Sequence, residues 1–376
     1  MKTEWVHKKL IDLADYYNGM AFKPSDWVES GTKIIRIEQL NNPMGNYDYY
    51  QGSYPEINAI HNEDLIFSWS ATLKVAIWKW GEGVLNQHLF KVVPFENVDK
   101  YFLYYLLDYN MPKLGESSHG STMKHIKRKE LETYSVSIPS SLPAQRRIAA
   151  ILSSADKVIA STQKVIAKYK QIKQGLMEDL LKPKEGWKMV RLGEVGKISM
   201  CKRVFSFETS TEGEIPFYKI GTFGKTADAF ISRQLFEEYK SKFSYPKVGD
   251  ILISASGTIG RTVVFDGEPA YFQDSNIIWI DNDEQIVLNQ FLYYLYQTIT
   301  WNLEGSTIAR LYNDNFNKIE ISVPFKNDKP DLTEQRRIAS ILSGIDAKIT
   351  AEEKVLEKYG KVKKGMMGKL LNEKSE

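Results

Sequence analysis

The sequence predicts an α+β protein in which two similar globular domains are separated by two long helices that form an antiparallel coiled coil. The first reason is a repeat: residues 142–181 recur without a gap at 332–371, and QRRIA at 145–149 returns at 335–339. The second reason is that the segments preceding the two copies are themselves diverged copies, since FLYYL at 102–106 reappears at 291–295. The third is a heptad spacing of apolar residues inside the repeat. Repeats of this kind indicate one structural unit used twice.

Apolar side chains in both repeated segments step alternately by four and three residues, from Ile148 to Leu180 and from Ile338 to Leu370. This spacing gives an amphipathic helix with one narrow apolar stripe. A helix of about 40 residues would extend roughly 60 Å, so each copy is expected to pack along the other. Polar residues interrupt the seam and should fix its register: Thr162, Lys173, Glu352 and Lys363. The alternative is two unrelated helices, each packed on its own domain.

Helix-end signals agree with this interpretation. Ser141 and Pro143 form a plausible start of the first helix, and Pro183 follows its end. Asp331 with Glu334 resembles a capping box at the start of the second helix. The predicted division is therefore a first domain at 1–141, a long helix at 142–183, a second domain at 184–331 and a long helix at 332–376.

Each globular domain mixes strand and helix signals. LIFS at 65–68, ILIS at 251–254 and IIWI at 277–280 are short β-type runs, whereas 101–109 and 290–300 have the spacing of apolar-faced helices. We therefore expect a small α+β domain, used twice. One turn should be built differently in the two domains, because SATL at 70–73 stands where the second domain has SGTIG at 256–260.

Composition restricts the class of protein. Lys and Arg number 50 against 47 Asp and Glu, and this net charge of +3 permits nucleic-acid binding without demanding it. No apolar run approaches the roughly 20 residues of a membrane span, and the first residues lack the apolar core of a signal peptide. The single Cys201 excludes an internal disulfide. We expect a cytoplasmic protein without a membrane partner.

Several motifs together resemble the specificity subunit of Type I restriction–modification systems. They are LxxQRRIAxILSxxD at the start of both long helices, GxMxxLL at their ends, DILIS with GTIG at 250–260, and GST at 305–307 followed by ISVP at 321–324. The likeness covers nearly the whole chain, and its double occurrence makes it specific.

The resemblance implies a DNA-binding subunit with no catalysis of its own. Each globular domain would be a target-recognition domain that reads one half of an asymmetric bipartite target in double-stranded DNA. An approximate two-fold relation between the domains would match that of the duplex, and the helix pair would set the unread spacer at about 3.4 Å per base pair. The implied partners are two methyltransferase (modification) subunits, docked on the helices, and two restriction subunits with translocase and nuclease activity. S-adenosylmethionine, ATP and Mg²⁺ would be bound by those partners.

Candidate DNA contacts are basic and hydroxyl residues of the domain loops. In the first domain they are Lys74, Ser121, Thr122, Lys124, Lys127 and Arg128, and in the second Lys202, Arg203, Arg261, Ser306, Thr307 and Arg310. Arg261 and Arg310 are the preferred base readers, because arginine pairs bidentately with guanine. A single lysine or arginine is more often a solvated surface charge, and a Gly-Ser-Thr turn can equally be a helix N-cap.

Two arginine pairs begin the long helices. Arg146, Arg147, Arg336 and Arg337 lie where positive charge opposes the helix dipole. We therefore predict that they contact acidic groups of a domain or of a partner subunit.

Catalytic signals are missing from the sequence. The five histidines lack metal-ligand spacing, and Lys219 occupies the place of the first glycine of a phosphate loop. Residues 86–88 (NQH), beside a β-type run, are interpreted as packing and not as catalysis. We expect neither a catalytic nor a metal site. The competing function is a coiled-coil adaptor whose twin domains bind protein.

Overall fold

The computed structural model describes residues 4–116, 125–126, 128–301 and 313–372. The chain forms two compact units, one of residues 1–164 with 353–376 and the other of residues 165–352. Each unit thus contains one globular domain, the first half of one long helix and the second half of the other. The four-segment division made from the sequence follows chain order instead, and stays a prediction.

The first domain contains short strands and three helices among its described residues. They are β1 (Trp5–Lys9), β2 (Ala14–Asn18), β3 (Thr32–Ile35), α1 (Ile37–Asn41), β4 (Tyr49–Tyr50), β5 (Ala59–Ile60), β6 (Leu65–Ser68), β7 (Lys74–Ile77), β8 (Gly83–Leu85), β9 (Leu89–Pro94), α2 (Lys100–Glu116), α3 (Arg128–Thr133) and β10 (Ser135–Pro139). The first long helix, α4, follows directly and spans Leu142–Leu180.

The second domain has a related but not identical order of elements. Its elements are β11 (Trp187–Arg191), α5 (Leu192–Val195), β12 (Gly196–Ser199), β13 (Ile215–Tyr218), β14 (Phe230–Ile231), α6 (Arg233–Lys242), β15 (Ile251–Ser254), β16 (Thr262–Val264), β17 (Tyr271–Phe272), β18 (Ile277–Asn282), α7 (Asn289–Tyr296), α8 (Asn313–Asn317), β19 (Glu320–Lys326) and β20 (Lys329–Pro330). The second long helix, α9, spans Leu332–Leu370. Two helices of 39 residues confirm the long-helix prediction.

Equivalent four-stranded sheets form the middle of both domains. Their strand orders are β2-β9-β6-β7 and β12-β18-β15-β16, with antiparallel neighbours. The strands β6 and β15 read as continuous apolar runs because both of their faces are covered. Leu65 and Phe67 belong to one core cluster and Ile66 to another, and in the second domain Ile253 and Leu252 are divided in the same way.

A second small sheet covers one face of each four-stranded sheet. In the first domain its order is β4-β3-β8-β5, and in the second it is β14-β13-β17. The pairs β3–β8 and β13–β17 are parallel. The opposite face of each four-stranded sheet packs on α2 or α7 and on a long helix, since Phe102, Ile148 and Leu152 share a core with Phe67, as Phe291, Ile338 and Leu342 do with Ile253.

The heptad seam is the contact line between the long helices within each unit. In the first unit, Ile148 and Leu152 of α4 share a core with Met367 and Leu371 at the end of the second helix. In the second unit, Lys173 pairs with Asp346 while the earlier Tyr169 lies under the later Lys348. Residue numbers fall along one helix as they rise along the other, so the paired segments are antiparallel, as predicted.

Two of the polar seam residues have partners on the opposite helix. In the first unit, Lys363 Nζ lies 2.6 Å from Asp156 Oδ1, and Tyr105 donates its hydroxyl proton to Asp156 Oδ2 at 2.7 Å. In the second unit, Lys173 Nζ lies 2.8 Å from Asp346 Oδ1, and Tyr294 donates to Asp346 Oδ2 at 2.8 Å. We call each set the Asp–Lys–Tyr lock of its unit.

The surroundings of the two locks match closely. The lysine side chains are 17% and 18% exposed, and each ammonium also lies 5.4 Å from the centre of the tyrosine ring of its own lock. Burial and then the bond to the aspartate raise the pKa of both tyrosines, so the hydroxyls stay protonated and donate. Thr162 behaves otherwise: its hydroxyl donates to Val158 of its own helix at 3.0 Å.

A repeated glutamine joins each long helix to its domain. Gln145 is 1% exposed, accepts the Asp99 N–H at 2.8 Å and donates to the carbonyls of Pro139 and Asn97 at 3.0 and 3.2 Å. Gln335 is 0% exposed, accepts the Leu288 N–H at 2.8 Å and donates to Ile286 O at 2.9 Å. These glutamine clamps satisfy backbone groups that would otherwise be buried without partners.

The start of the second long helix is capped in a simpler way than predicted. Asp331 accepts the Glu334 N–H at 3.0 Å, which confirms it as an N-cap. The reciprocal half of the capping box was wrong, because both carboxylate oxygens of Glu334 accept from Arg337 at 2.7 Å instead.

Replacing either lock aspartate by alanine should lower the free energy of unfolding by about 1–3 kcal/mol, because a half-buried lysine loses its partner. We expect similar losses for Asp156→Ala and Asp346→Ala in urea denaturation. The matched control is Glu357→Ala, which removes an exposed pair with Lys361 on the same helix and should cost under about 0.5 kcal/mol. Equal effects for control and lock variants would contradict the proposed importance of the locks.

Gln145→Ala and Gln335→Ala should each cost about 2 kcal/mol or more, because buried backbone groups on the domain side lose a side-chain partner. Thermal unfolding followed by circular dichroism measures this. Gln174→Ala serves as the control, since that exposed side chain bonds only to Glu178 of its own helix. A clamp variant as stable as the control would show that water replaces the glutamine without loss.

Candidate nucleic-acid interface

At one end of each four-stranded sheet, the hydroxyl of a serine stabilises a turn by hydrogen bonds. In the first domain, Ser68 at the end of β6 donates to Thr72 O at 2.7 Å. In the second, Ser254 at the end of β15 donates to Thr258 O at 2.5 Å and accepts the Arg261 N–H at 2.9 Å. A serine hydroxyl at the equivalent position therefore stabilises each turn, although the two turns differ in length.

The backbone of the two turns differs as the sequence predicts. The second domain places Gly257 and Gly260 at φ +66° and +82°, where glycine is favoured, and the first domain uses Ala71 at φ +56°. An added Cβ on Gly260 would lie 2.1 Å from Trp301 Nε1, so this glycine also makes room for the indole.

Two other loops meet the serine turn in each domain. In the first domain, the Gln87 N–H donates to Met20 O at 2.7 Å, and the Trp69 N–H reaches His88 O at 3.4 Å. In the second domain, the Ala255 N–H donates to Asn276 O at 2.7 Å. There Arg203 also pairs with Asp274 at 2.8 Å. We call residues 18–22, 68–73 and 86–88 the first platform, and residues 200–204, 254–261 and 273–276 the second platform.

The described residues beside the predicted Gly-Ser-Thr segments also touch the platforms. His125, directly after residue 124, forms a β-bridge with Ser70, and the next amide, Ile126 N–H, donates to Trp69 O at 2.8 Å. Trp301, directly before residue 302, packs over Gly260. Each platform is thus in contact with described residues that lie close to these segments in the sequence.

Two of the predicted DNA contacts, one of them a preferred base reader, are engaged by their own domain. Lys74 Nζ lies 2.5 Å from Leu40 O and 3.3 Å from Asn41 Oδ1. Arg261 is half-buried and donates from Nη1 to Phe223 O at 2.9 Å. These contacts favour a structural role for both side chains over base reading.

The remaining described candidates are exposed. Lys202 lies 5.2 Å from the ring centre of Phe243, Arg203 is 61% exposed, and Arg128 is 3.9 Å from Glu132 of its own helix. Seven candidates lie outside the described residues and stay predictions: Ser121, Thr122, Lys124, Lys127, Ser306, Thr307 and Arg310.

In each arginine pair at a helix start, one arginine contacts a described acidic side chain and the other does not. Arg146 Nε lies 3.6 Å from Asp99 of its own domain, and Arg337 forms the bidentate pair with Glu334. Arg147 and Arg336 are exposed, with no ion pair to any described residue. Half of each pair is therefore available to a partner.

Metal and thiol chemistry find no site in the part of the chain that the structure describes. No group of three or more His, Cys, Asp or Glu side chains there could hold a metal ion. Cys201 is buried, and burial raises the pKa of its thiol to about 12, which keeps the sulfur protonated.

Within the described ranges, no helix is both long and apolar enough to cross a membrane.

The fold and the platforms define a protein made of one domain used twice, with equivalent loop surfaces and with long helices clamped to each domain. A family model of the Type I restriction modification DNA specificity domain matches residues 2–171 and again residues 184–358. The chain belongs to this family and contains two such domains.

Named relatives agree with this assignment. The chain is 46% identical over 364 residues to S.HindORF215P of Haemophilus influenzae, named for a type I restriction enzyme specificity subunit, with 91% of this chain and 87% of that protein covered. It is 27% identical over 402 aligned residues to the Type I restriction enzyme MjaVIII specificity subunit of Methanocaldococcus jannaschii, covering 99% and 93% of the two chains.

Solved structures show the same fold. The S subunit of a Type-I restriction-modification system from M. genitalium matches with a TM-score of 0.63 and 16% identity, covering 100% of this chain and 98% of that one. A chain solved in a study of complex assembly and conformational transition of the type I R-M system matches with a TM-score of 0.58 and 18% identity, covering 99% of both chains.

Gly260→Ala should disturb the second platform and lower the free energy of unfolding by about 2–4 kcal/mol, since it combines a left-handed backbone with a clash against Trp301. Gly257→Ala is the control in the same turn, because its φ is also positive but its added Cβ would lie 3.8 Å from Ile220 Cγ1, at an ordinary van der Waals distance. We expect about 1 kcal/mol for the control in chemical denaturation. The reverse order of the two losses would contradict the packing argument.

Proposed function

We propose that this chain is the sequence-specific DNA-binding specificity subunit of a Type I restriction–modification complex. Each globular domain is a target-recognition domain that reads one half of an asymmetric bipartite target in double-stranded DNA. The observation that carries the proposal is the double occurrence of the DNA specificity domain, each copy with its own loop platform.

The reciprocal pairing of the helices supports a two-fold layout. Asp156 and Lys173 of the first helix occupy the repeat positions of Asp346 and Lys363, and each aspartate pairs with the lysine of the other copy. Such exchange is what a two-fold relation between two copies requires, because residue i contacts j and j contacts i. Duplex DNA offers the same symmetry to its two half-sites.

The helix pair then sets the spacer between the half-sites and docks the modification subunits. A fixed register fixes helix overlap, and helix overlap fixes the number of unread base pairs at about 3.4 Å each. Arg147 and Arg336, exposed at the helix starts, are candidate contacts for acidic groups of these partners.

Catalysis belongs to the partners in this proposal. Two modification subunits carry S-adenosylmethionine for methyl transfer, and two restriction subunits use ATP and Mg²⁺. The chain contributes recognition and geometry, in the cytoplasm where the DNA is.

Selection of bound duplexes from a random library, with the chain and its modification subunits, should enrich two short and different blocks around a constant gap. A palindromic site would contradict different reading by the two domains. No enrichment at low salt with folded protein would reject DNA reading and favour the protein-binding adaptor.

Salt dependence tests the same proposal without knowledge of the target. The logarithm of affinity should fall linearly with the logarithm of salt concentration, by about 0.9 for each phosphate contact. A shallow slope in fluorescence anisotropy would show that phosphates are not the main contacts. Arg147→Ala with Arg336→Ala should leave this slope unchanged and weaken only the binding of modification subunits.

A further inference from the structure

The two platforms share a skeleton but present different side chains at its tip. The loops after β2 and β12 align through equivalent caps, since the Lys23 N–H donates to Asp26 Oδ2 and the Phe205 N–H to Glu208 Oε2, both at 2.7 Å. This alignment puts Arg203 at the position of Ala21. Beside it, residues 87–88 (QH) of the first domain correspond to residues 274–276 (DSN) of the second.

Gln87 is the projecting side chain of the first platform. Its turn is rigid, because the Gln87 N–H donates to Met20 O at 2.7 Å and the Leu89 N–H to Asn86 O at 3.0 Å. The side chain is exposed, and its amide has no hydrogen-bond partner among the described residues. The backbone from which this side chain projects is held, and the side-chain amide offers both of its donors and an acceptor.

A groove of about 410 Å³ adjoins Gln87 and is lined by Asn18, Gly19, Ala21, Trp69 and His88. Its shape depends on Gly19, because an added Cβ would lie 2.3 Å from the carbonyl oxygens of Leu85 and Asn86. The Trp69 ring lies 5.6 Å from that of His88, and its Nε1 is buried without a partner in the described structure. The first platform therefore combines a projecting amide with an aromatic wall.

Arg203 takes the projecting role in the second platform. Its Nε donates to Asp274 Oδ2 at 2.8 Å, and the arginine side chain is 61% exposed while that of the aspartate is 16% exposed. The more buried aspartate thus orients the arginine. The two Nη groups of the arginine have no partner among the described residues. Asn276 lies beside this pair and accepts from Ser256 Oγ at 2.8 Å.

We propose that Gln87 and Arg203 are the base-reading residues of the two platforms. Gln87 reads an adenine in the half-site of the first domain, and Arg203, positioned by Asp274, reads a guanine in that of the second. Glutamine pairs bidentately with adenine N6 and N7, and arginine with guanine O6 and N7, in the major groove. The inference rests on the proposed function and explains chemically why the half-sites differ.

The test is duplex selection with the full chain and its modification subunits, using Gln87→Ala and Arg203→Ala. Each variant should lose discrimination at one base pair, by about tenfold or more, in one half-site only. Gln87→Ala should relax one block, and Arg203→Ala the other. Asp274→Ala should relax the same base pair as Arg203→Ala while overall affinity at low salt is kept, because the positive charge remains.

Matched controls are Gln51→Ala, which removes an exposed glutamine bonded to Ser30 O, and Arg233→Ala, which removes an arginine whose Nε pairs with Glu214 at 3.2 Å. Both should leave the selected blocks unchanged.

If the wild-type chain selects a bipartite site and both reader variants select the same unchanged blocks, the assignment of Gln87 and Arg203 is overturned. The proposed function would still stand. A uniform loss across sequences, with the salt slope reduced by about one, would also overturn it by assigning phosphate contacts. Failure of the wild-type chain to select any site would remove the proposed function itself.

Discussion

The ion pair inside each helix seam is the constraint on which the rest of the molecule depends. A lysine in an apolar seam is costly unless its ammonium is paired and hydrogen-bonded. In the observed register Lys173 and Lys363 each pair with an aspartate, to which the lock tyrosine also donates. Sliding one helix by a heptad would keep the apolar contacts but separate both pairs at once. Specificity of register is the best-supported use of such buried polar groups.

The locks and the glutamine clamps together connect the seam to the domain surface. Tyr105 and Tyr294 come from the FLYYL helices of the domains, so each lock joins a domain helix to both long helices of its unit. The clamps add a second attachment, since Gln145 and Gln335 bond backbone groups just before these helices. With two attachments per domain, each domain has a fixed place along its own helix, and the register of the seam determines which part of the other long helix lies against it. This is the physical property that a spacer-setting device needs.

The sequence alone predicted the periodic parts of the fold, but it did not predict which groups individual side chains contact. Heptad spacing predicted both long helices and marked Lys173 and Lys363 as register residues, because periodicity is a local property. It could not name Asp156 and Asp346 as their partners, which depends on the antiparallel alignment.

Lys74 and Arg261 looked like DNA contacts because they are basic and lie beside turns, but carbonyls of distant segments engage them. The Arg203–Asp274 pair, formed across two loops, left no sequence signal. The clamps had one: a glutamine repeated at the same place in both copies.

Under the proposed function, one domain fold serves twice with different targets, and the platforms suit this because shared bonds hold their loops while different side chains project from them. Two of the bonds that hold each platform are equivalent in the two domains: a serine at the end of a central strand closes one turn, and a backbone bond joins that turn to the loop before β9 or β18. The groups that differ, Gln87 with His88 against Arg203 with Asp274, project from this skeleton and contribute little to the cores. Surface substitutions away from structural bonds usually change stability by less than about 0.5 kcal/mol. Exposed tips of this kind can therefore change without unfolding the domain or shifting the helix register, and under the proposed function base preference would then vary independently of spacer length.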